Sequence, residues 1–184
     1  GPGGRAASIV DPAGAAFRLW QPRRRLGAQV ANVPGAWNFS DLRTSDVAGA
    51  QRFYGGLFGW EAGPLGGDGD AGADAGPLLW RRPGYGDHLA ATIDPGIHER
   101  QTAVSAPPGF ADAVAWLAPL EGDDVPHWHV TFAVDDRDAA REAALRLGAS
   151  DVSGPVDTPW TRYAVVRDPQ GAVFTVSQFA PPSG

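Results

Sequence analysis

The sequence predicts an α+β fold assembled from repeated strand–helix–strand units, on three observations. A strand–turn–strand phrase occurs twice, at residues 5–21 and 162–178. A strand that ends at a helix cap and runs into a helix also occurs twice, at residues 39–46 and 129–136. Between these copies lie further short β-rich segments, the clearest being Leu78-Leu79-Trp80 and Ala113-Val114-Ala115-Trp116-Leu117.

The first repeat aligns Arg5, Asp11-Pro12, Gly14-Ala15 and Phe17 with Arg162, Asp168-Pro169, Gly171-Ala172 and Phe174, and Gln21 with Gln178. Its physical reading is a hairpin. A β-branched strand meets Asp-Pro-x-Gly, where Pro presets φ and Gly permits positive φ, and an alternating strand leaves the turn. Residues 22–35 read as a linker by composition. In the second repeat, Asp46 and Asp136 are N-caps whose carboxylates accept from free amides of the first helical turn. Val47, Ala50, Phe53, Tyr54 and Leu57 mark the buried stripe of the first helix, and Ala140, Ala143, Ala144 and Leu147 that of the second. Gly59 and Gly148 stop the two helices. Residues 66–76 are rich in Gly, Asp and Ala and read as a mobile loop. Residues 83–108 read as a long irregular stretch, a length that suits a lid or pocket wall.

Composition narrows the function classes. The 184 residues carry a net charge of −6, which argues against a nucleic-acid backbone as partner, and Arg23-Arg24-Arg25 is too short a basic run to reverse that. The chain has no cysteine, so thiol nucleophiles, disulfides and thiolate metal sites are excluded. No apolar run approaches membrane-spanning length and no signal peptide opens the chain, so a cytoplasmic location is the default expectation. No methionine is present, and the chain reads as a processed product or a fragment. No Gly-x-Ser-x-Gly elbow or phosphate-binding loop occurs.

Leu42-x-Thr44-x-Asp46 with Arg52-Phe53-Tyr54 and Leu57-Phe58-Gly59-Trp60 resembles the opening of a vicinal-oxygen-chelate domain. So does Phe132-Ala133-Val134-Asp135-Asp136 with Leu147-Gly148-Ala149, and Asp168-Pro169-Gln170-Gly171-Ala172-Val173-Phe174 resembles its ending. This is the glyoxalase, bleomycin-resistance and extradiol-dioxygenase superfamily. The resemblance implies paired βαβββ units, residues 36–120 and 126–180, forming a curved, barrel-like mixed sheet around a cavity with helices outside. Residues 1–22 would be the terminal hairpin of a preceding similar domain, most of it missing, with residues 23–35 as linker. The apolar face of that hairpin (Ile9, Phe17, Leu19) needs a partner, either this domain or a second chain, and a homodimer is the expected assembly.

Strand alternation assigns the faces. Leu42, Thr44, Val130, Phe132 and Val134 face the helices. Phe39, Asp41, Arg43, His129, Thr131 and Ala133 face the cavity, together with Val173, Thr175 and Ser177. The resemblance implies metal ligands at Phe39, His129 and Thr175, with a fourth near residues 113–117. Only His129 is a competent ligand among these, and a catalytic divalent site normally needs about three protein ligands. In the hairpin of residues 5–21, Arg18 occupies the place of Thr175.

The expected function is therefore a metal-independent cavity for a small aromatic or natural-product ligand, as in sequestration of the bleomycin-resistance type associated with antibiotic resistance. Phe39, Trp116 and Trp160 would stack a flat molecule. Asp41, Arg43, His129, Thr131, Thr175 and Ser177 would orient it. Trp128 is a further stacking candidate, or, being of opposite parity to His129, a rim or core residue. Two alternatives stand beside this. One is a metal-dependent lyase, isomerase or dioxygenase whose divalent transition metal is held by His127, His129 and His88. The other is an interaction module without ligand. His98, beside Glu99, reads as a solvated histidine.

Overall fold

The computed structural model of this chain describes residues 1–65, 77–120 and 122–181, so the loop expected at residues 66–76 lies outside the described residues. Ten strands and four helices follow in the order β1 (Gly4–Val10), β2 (Ala16–Pro22), β3 (Trp37–Thr44), α1 (Val47–Phe58), β4 (Glu61–Gly63), β5 (Leu78–Arg81), α2 (Tyr85–Thr92), α3 (Ile97–Ala103), β6 (Ala113–Pro119), β7 (His127–Ala133), α4 (Arg137–Arg146), β8 (Ser150–Asp157), β9 (Thr161–Arg167) and β10 (Val173–Phe179). Strands β1 and β2 pair as a separate ribbon. The other eight form a mixed sheet in the order β4-β5-β6-β3-β7-β10-β9-β8, open at β4 and β8 rather than closed. Pairs β3/β6 and β7/β10 are parallel, and the pairs β4/β5, β5/β6, β8/β9 and β9/β10 are antiparallel. From β3 onward the chain twice repeats strand, helix, three strands, with α2 and α3 inserted in the first round.

The chain divides into two compact units, one of residues 1–6, 20–40 and 129–184, the other of residues 7–19 and 41–128. In the second unit, α1 begins as the sequence predicts. Asp46 accepts from the Gly49 amide at 2.7 Å. A Cβ at Gly49 would meet the capping carboxylate, which would then have to shift. The helix ends at Gly59 in the left-handed region, φ 68°, whose amide bonds Gly55 O. Its inner face carries Ala50 and Tyr54, with Val47, Phe53 and Phe58 partly buried, and packs with Leu42, Trp80, Ala115 and Leu117. Leu57, expected on that face, is 45% exposed. Positions 50, 54 and 58 follow the i, i+4 row, and this turns Leu57 outward. The hairpin tip docks here. Phe17 lies 5.6 Å from the Tyr54 ring and 6.3 Å from both Phe53 and Phe58.

Residues 83–108 are not irregular but carry α2 and α3. Neither helix has a side-chain N-cap bond, and α3 has no buried residue, so the two usual sequence signals are missing.

In the first unit, Asp136 caps α4 through bonds of 2.8 and 2.9 Å from the Asp138 and Ala139 amides. Ala164 and Val166 of β9 are fully buried, and α4 packs on β8, β9 and β10. Leu147, expected in the stripe, caps the helix and is 80% exposed. The buried side chain at the start of α4 is instead Arg137, 2% exposed. It donates to Val156 O and Tyr163 O (both 3.0 Å), Asp138 (2.7 Å) and Asp157 (3.0 Å), tying α4 to β8 and β9. A buried guanidinium is tolerated when its donors are satisfied in this way. Arg162 reinforces the same corner through Asp138 and Asp157. β8 escapes recognition in the sequence because Gly154 and Pro155 interrupt it, which an edge strand tolerates.

Candidate functional site

In the second unit, β3 and β6 run parallel with Asp41 opposite Trp116, Leu42 opposite Leu117 and Arg43 opposite Ala118. Leu42 and Leu117 belong to the core under α1. Alternation therefore puts Asp41, Arg43 and Trp116 together on the face opposite the core. Arg43 Nη2 stands 3.6 Å from Asp41 Oδ2, too long for a hydrogen bond but close for charge, and the side chains are 20% and 17% exposed. Burial pushes the Asp41 carboxyl above its ordinary pKa, against the opposing pull of Arg43 and His127. Arg43 Nε is buried and has no hydrogen-bond partner among the described residues. His127 Nδ1 meets Val125 O at 2.7 Å.

In the first unit, β7 and β10 run parallel with Thr175 opposite Thr131 and Ser177 opposite Ala133. His129 is 2% exposed, and its Nε2 shares a 2.8 Å hydrogen bond with Thr175 Oγ1. His129, Thr131 and Thr175 thus form one buried polar row. Phe132 and Phe174 meet edge to face at 5.6 Å on the other side of these strands. Ser177 stands half-buried next along β10, and Phe39 is half-buried on β3. Trp160 is half-buried in the turn before β9, where its carbonyl accepts from Ala180 N.

His88 is exposed on α2, with its backbone in the helix. Among the described residues no three His, Asp or Glu side chains gather as a metal site requires. The ligand positions that the family resemblance implied hold Phe39, His129 and Thr175. The strand supplying the fourth offers Ala113, Val114, Ala115, Trp116 and Leu117. One imidazole already engaged by a hydroxyl does not fit the donor set of a divalent transition metal.

Two features of the second unit are absent from the sequence reading. The first is a hydrogen-bonded chain. Tyr54 OH donates to Asp11 Oδ2 at 2.9 Å and accepts from Trp128 Nε1 at 3.0 Å. Burial raises the Tyr54 phenol well above its ordinary pKa, so it stays a neutral donor. Trp128 packs, partly buried, against the core, one of the places the sequence left open for it. The Tyr54 position on the α1 stripe was the available signal, but nothing local links it to residue 11. The second is an open cleft of about 380 Å³ between α2, α3 and the turn at Phe110–Asp112, with Asp87, His98, Gln101 and Asp112 on its walls. His98 Nε2 lies 3.1 Å from Asp87 there, and none of the expected ligand-binding residues reaches it.

A family profile described as "Glyoxalase-like domain" matches residues 38–177. The chain is 36% identical over 173 residues to the "Anthracycline biosynthesis protein DauV" of Streptomyces sp. (strain C5), a match covering 94% of this chain and 52% of that protein. It is 32% identical over 182 residues to the "Putative glyoxylase CFP32" of Mycobacterium bovis (strain ATCC BAA-935 / AF2122/97), covering 98% of this chain and 58% of that protein. The chain thus spans little more than half the length of these relatives. Among solved structures, the Mn(II)-bound glyoxalase from Novosphingobium aromaticivorans superposes with a TM-score of 0.50 at 15% identity, over 98% of this chain and 52% of that one. The 2,3-dioxygenase LapB from Pseudomonas sp. KL28 superposes with a TM-score of 0.52 at 11% identity, over 96% and 59%. At these identities the likeness shows the fold alone. With the profile spanning both βαβββ repeats, the chain belongs to the glyoxalase-like domain family, within the superfamily that the order of its motifs implied.

Proposed function

We propose that this domain binds a small, partly aromatic ligand, of natural-product type, without using a divalent metal. The observation that carries this reading is the donor set. Where a metal enzyme of the superfamily would hold its ion, this chain has Phe39, Thr175 and a histidine bonded to that threonine. Trp116, beside Asp41 and Arg43, supports an aromatic ligand, because an indole face stacks on a flat ring while the neighbouring polar groups orient it. The names of the relatives in anthracycline biosynthesis favour a natural product over a small metabolite.

The test is a tryptophan-fluorescence titration with 1-hydroxyanthraquinone as probe, in excess EDTA. The expected result is saturable quenching in EDTA, weakened roughly tenfold in Trp116→Leu by loss of stacking and apolar contact. Binding that vanishes in EDTA and returns with Zn²⁺, Mn²⁺ or Fe²⁺ would replace this reading with the metal-dependent one built on His127, His129 and His88.

A further inference from the structure

We propose that Arg43 is the specificity determinant of the ligand site and that the ligand it selects is an aromatic acid, with a carboxylate or ionised phenol oxygen held by the guanidinium while its ring lies on Trp116. This rests on the aromatic-ligand reading above and adds the ligand's charge.

Three observations lead there. First, Arg43 Nε is a charged donor that is shielded from water and has no acceptor among the described residues. Buried polar groups are nearly always paired, and one left without a partner calls for an absent group to bond it. Second, the nearby carboxylate does not fill that role. Asp41 approaches Nη2 at 3.6 Å, which holds the guanidinium in place by charge and leaves Nε without an acceptor. Third, the register sets a small residue and an indole beside the guanidinium. The residue opposite Arg43 is Ala118, and Trp116 lies one step diagonally along the same face. A small residue beside the arginine and an indole next to it suit a ring with an acidic oxygen at its edge. Arginine, planar and always charged, suits an oxyanion better than a neutral carbonyl, since charge-assisted hydrogen bonds are about twice as strong as neutral ones.

Two probes of equal shape and different charge decide it: 2-naphthoate and 2-naphthamide, titrated calorimetrically into the wild-type chain, Arg43→Gln and Trp116→Leu. The expected result is that wild type prefers the acid roughly tenfold or more. Arg43→Gln should erase that preference while still binding the amide, and Trp116→Leu should weaken both probes alike. Equal binding of acid and amide by wild type would overturn the role of Arg43 and leave the aromatic-ligand reading standing. Failure of both probes to bind wild type would remove that reading and this proposal together. Because the comparison of probes is made on wild type, it decides the question even if Arg43→Gln fails to fold.

Discussion

The two Asp-Pro-x-Gly hairpins have the same turn and different surroundings. In each, one carboxylate oxygen accepts from two backbone amides, Ala13 and Ala15 at Asp11, Gln170 and Ala172 at Asp168, at 2.8–3.0 Å. In each, the glycine two positions beyond Pro has positive φ, 105° at Gly14 and 96° at Gly171. Yet Asp11 is 5% exposed and its second oxygen accepts the Tyr54 hydroxyl, while Asp168 is only half-buried. Counting from the caps Asp46 and Asp136, the α4 residue corresponding to Tyr54 is Ala144, which has no hydroxyl to offer. The comparison separates two levels. A turn is specified by its own four or five residues, whereas what it docks on depends on one side chain of a helix far away in sequence.

The largest effect should come from deleting residues 1–22. This strips Phe17 and Asp11 from the aromatic cluster around Tyr54, so a steep fall in thermal midpoint or a change of oligomeric state is expected, read by calorimetry and light scattering. An unchanged midpoint and mass would mean that the hairpin is no part of the stable structure. Next in size, Tyr54→Phe keeps the rings and removes one hydroxyl, leaving Asp11 Oδ2 and Trp128 Nε1 without their shared partner. It should cost about 1–3 kcal/mol in urea denaturation. Asp11→Ala should cost a similar amount, and Asp168→Ala only about 1 kcal/mol, the scale of a lost turn bond. Equal losses at Asp11 and Asp168 would break the contrast between the two hairpins.

The smallest effect concerns Asp41. Burial raises its folded-state pKa above the unfolded value, so the folded chain keeps that proton to higher pH. The stability associated with the neutral carboxyl is fully present below the unfolded pKa and lost as pH rises through the folded one. Carbon-detected NMR should find Asp41 titrating above the ordinary aspartate range, and higher again in Arg43→Gln, where a lowering influence is removed. In Asp41→Asn the fall in stability across that window should disappear.

Much of the fold is legible because its signals are local. The caps Asp46 and Asp136, the stops Gly59 and Gly148 and both hairpins form where the residues indicate. Strand parity separates Asp41 and Arg43 from the core residue Leu42, because successive residues of a strand point to opposite faces. The errors have physical causes as well. Leu57 and Leu147 are apolar but turned outward by the rows that other residues define. Helices α2 and α3 lack caps and stripes, and β8 holds a proline that only an edge position excuses.

The sequence by itself determined the two helix caps, both hairpin turns and the repeated strand–helix order, since these depend on backbone preference and side-chain chemistry within a few residues. Only the tertiary structure decided that Asp11 docks on Tyr54, that His129 is bonded to Thr175, that Arg137 lies buried at a corner, and that Arg43 has a donor to spare. The first three are pairings between groups remote along the chain and the fourth is the want of one, and hydrogen-bond satisfaction in the interior is settled by which elements lie side by side, not by the order of residues within them.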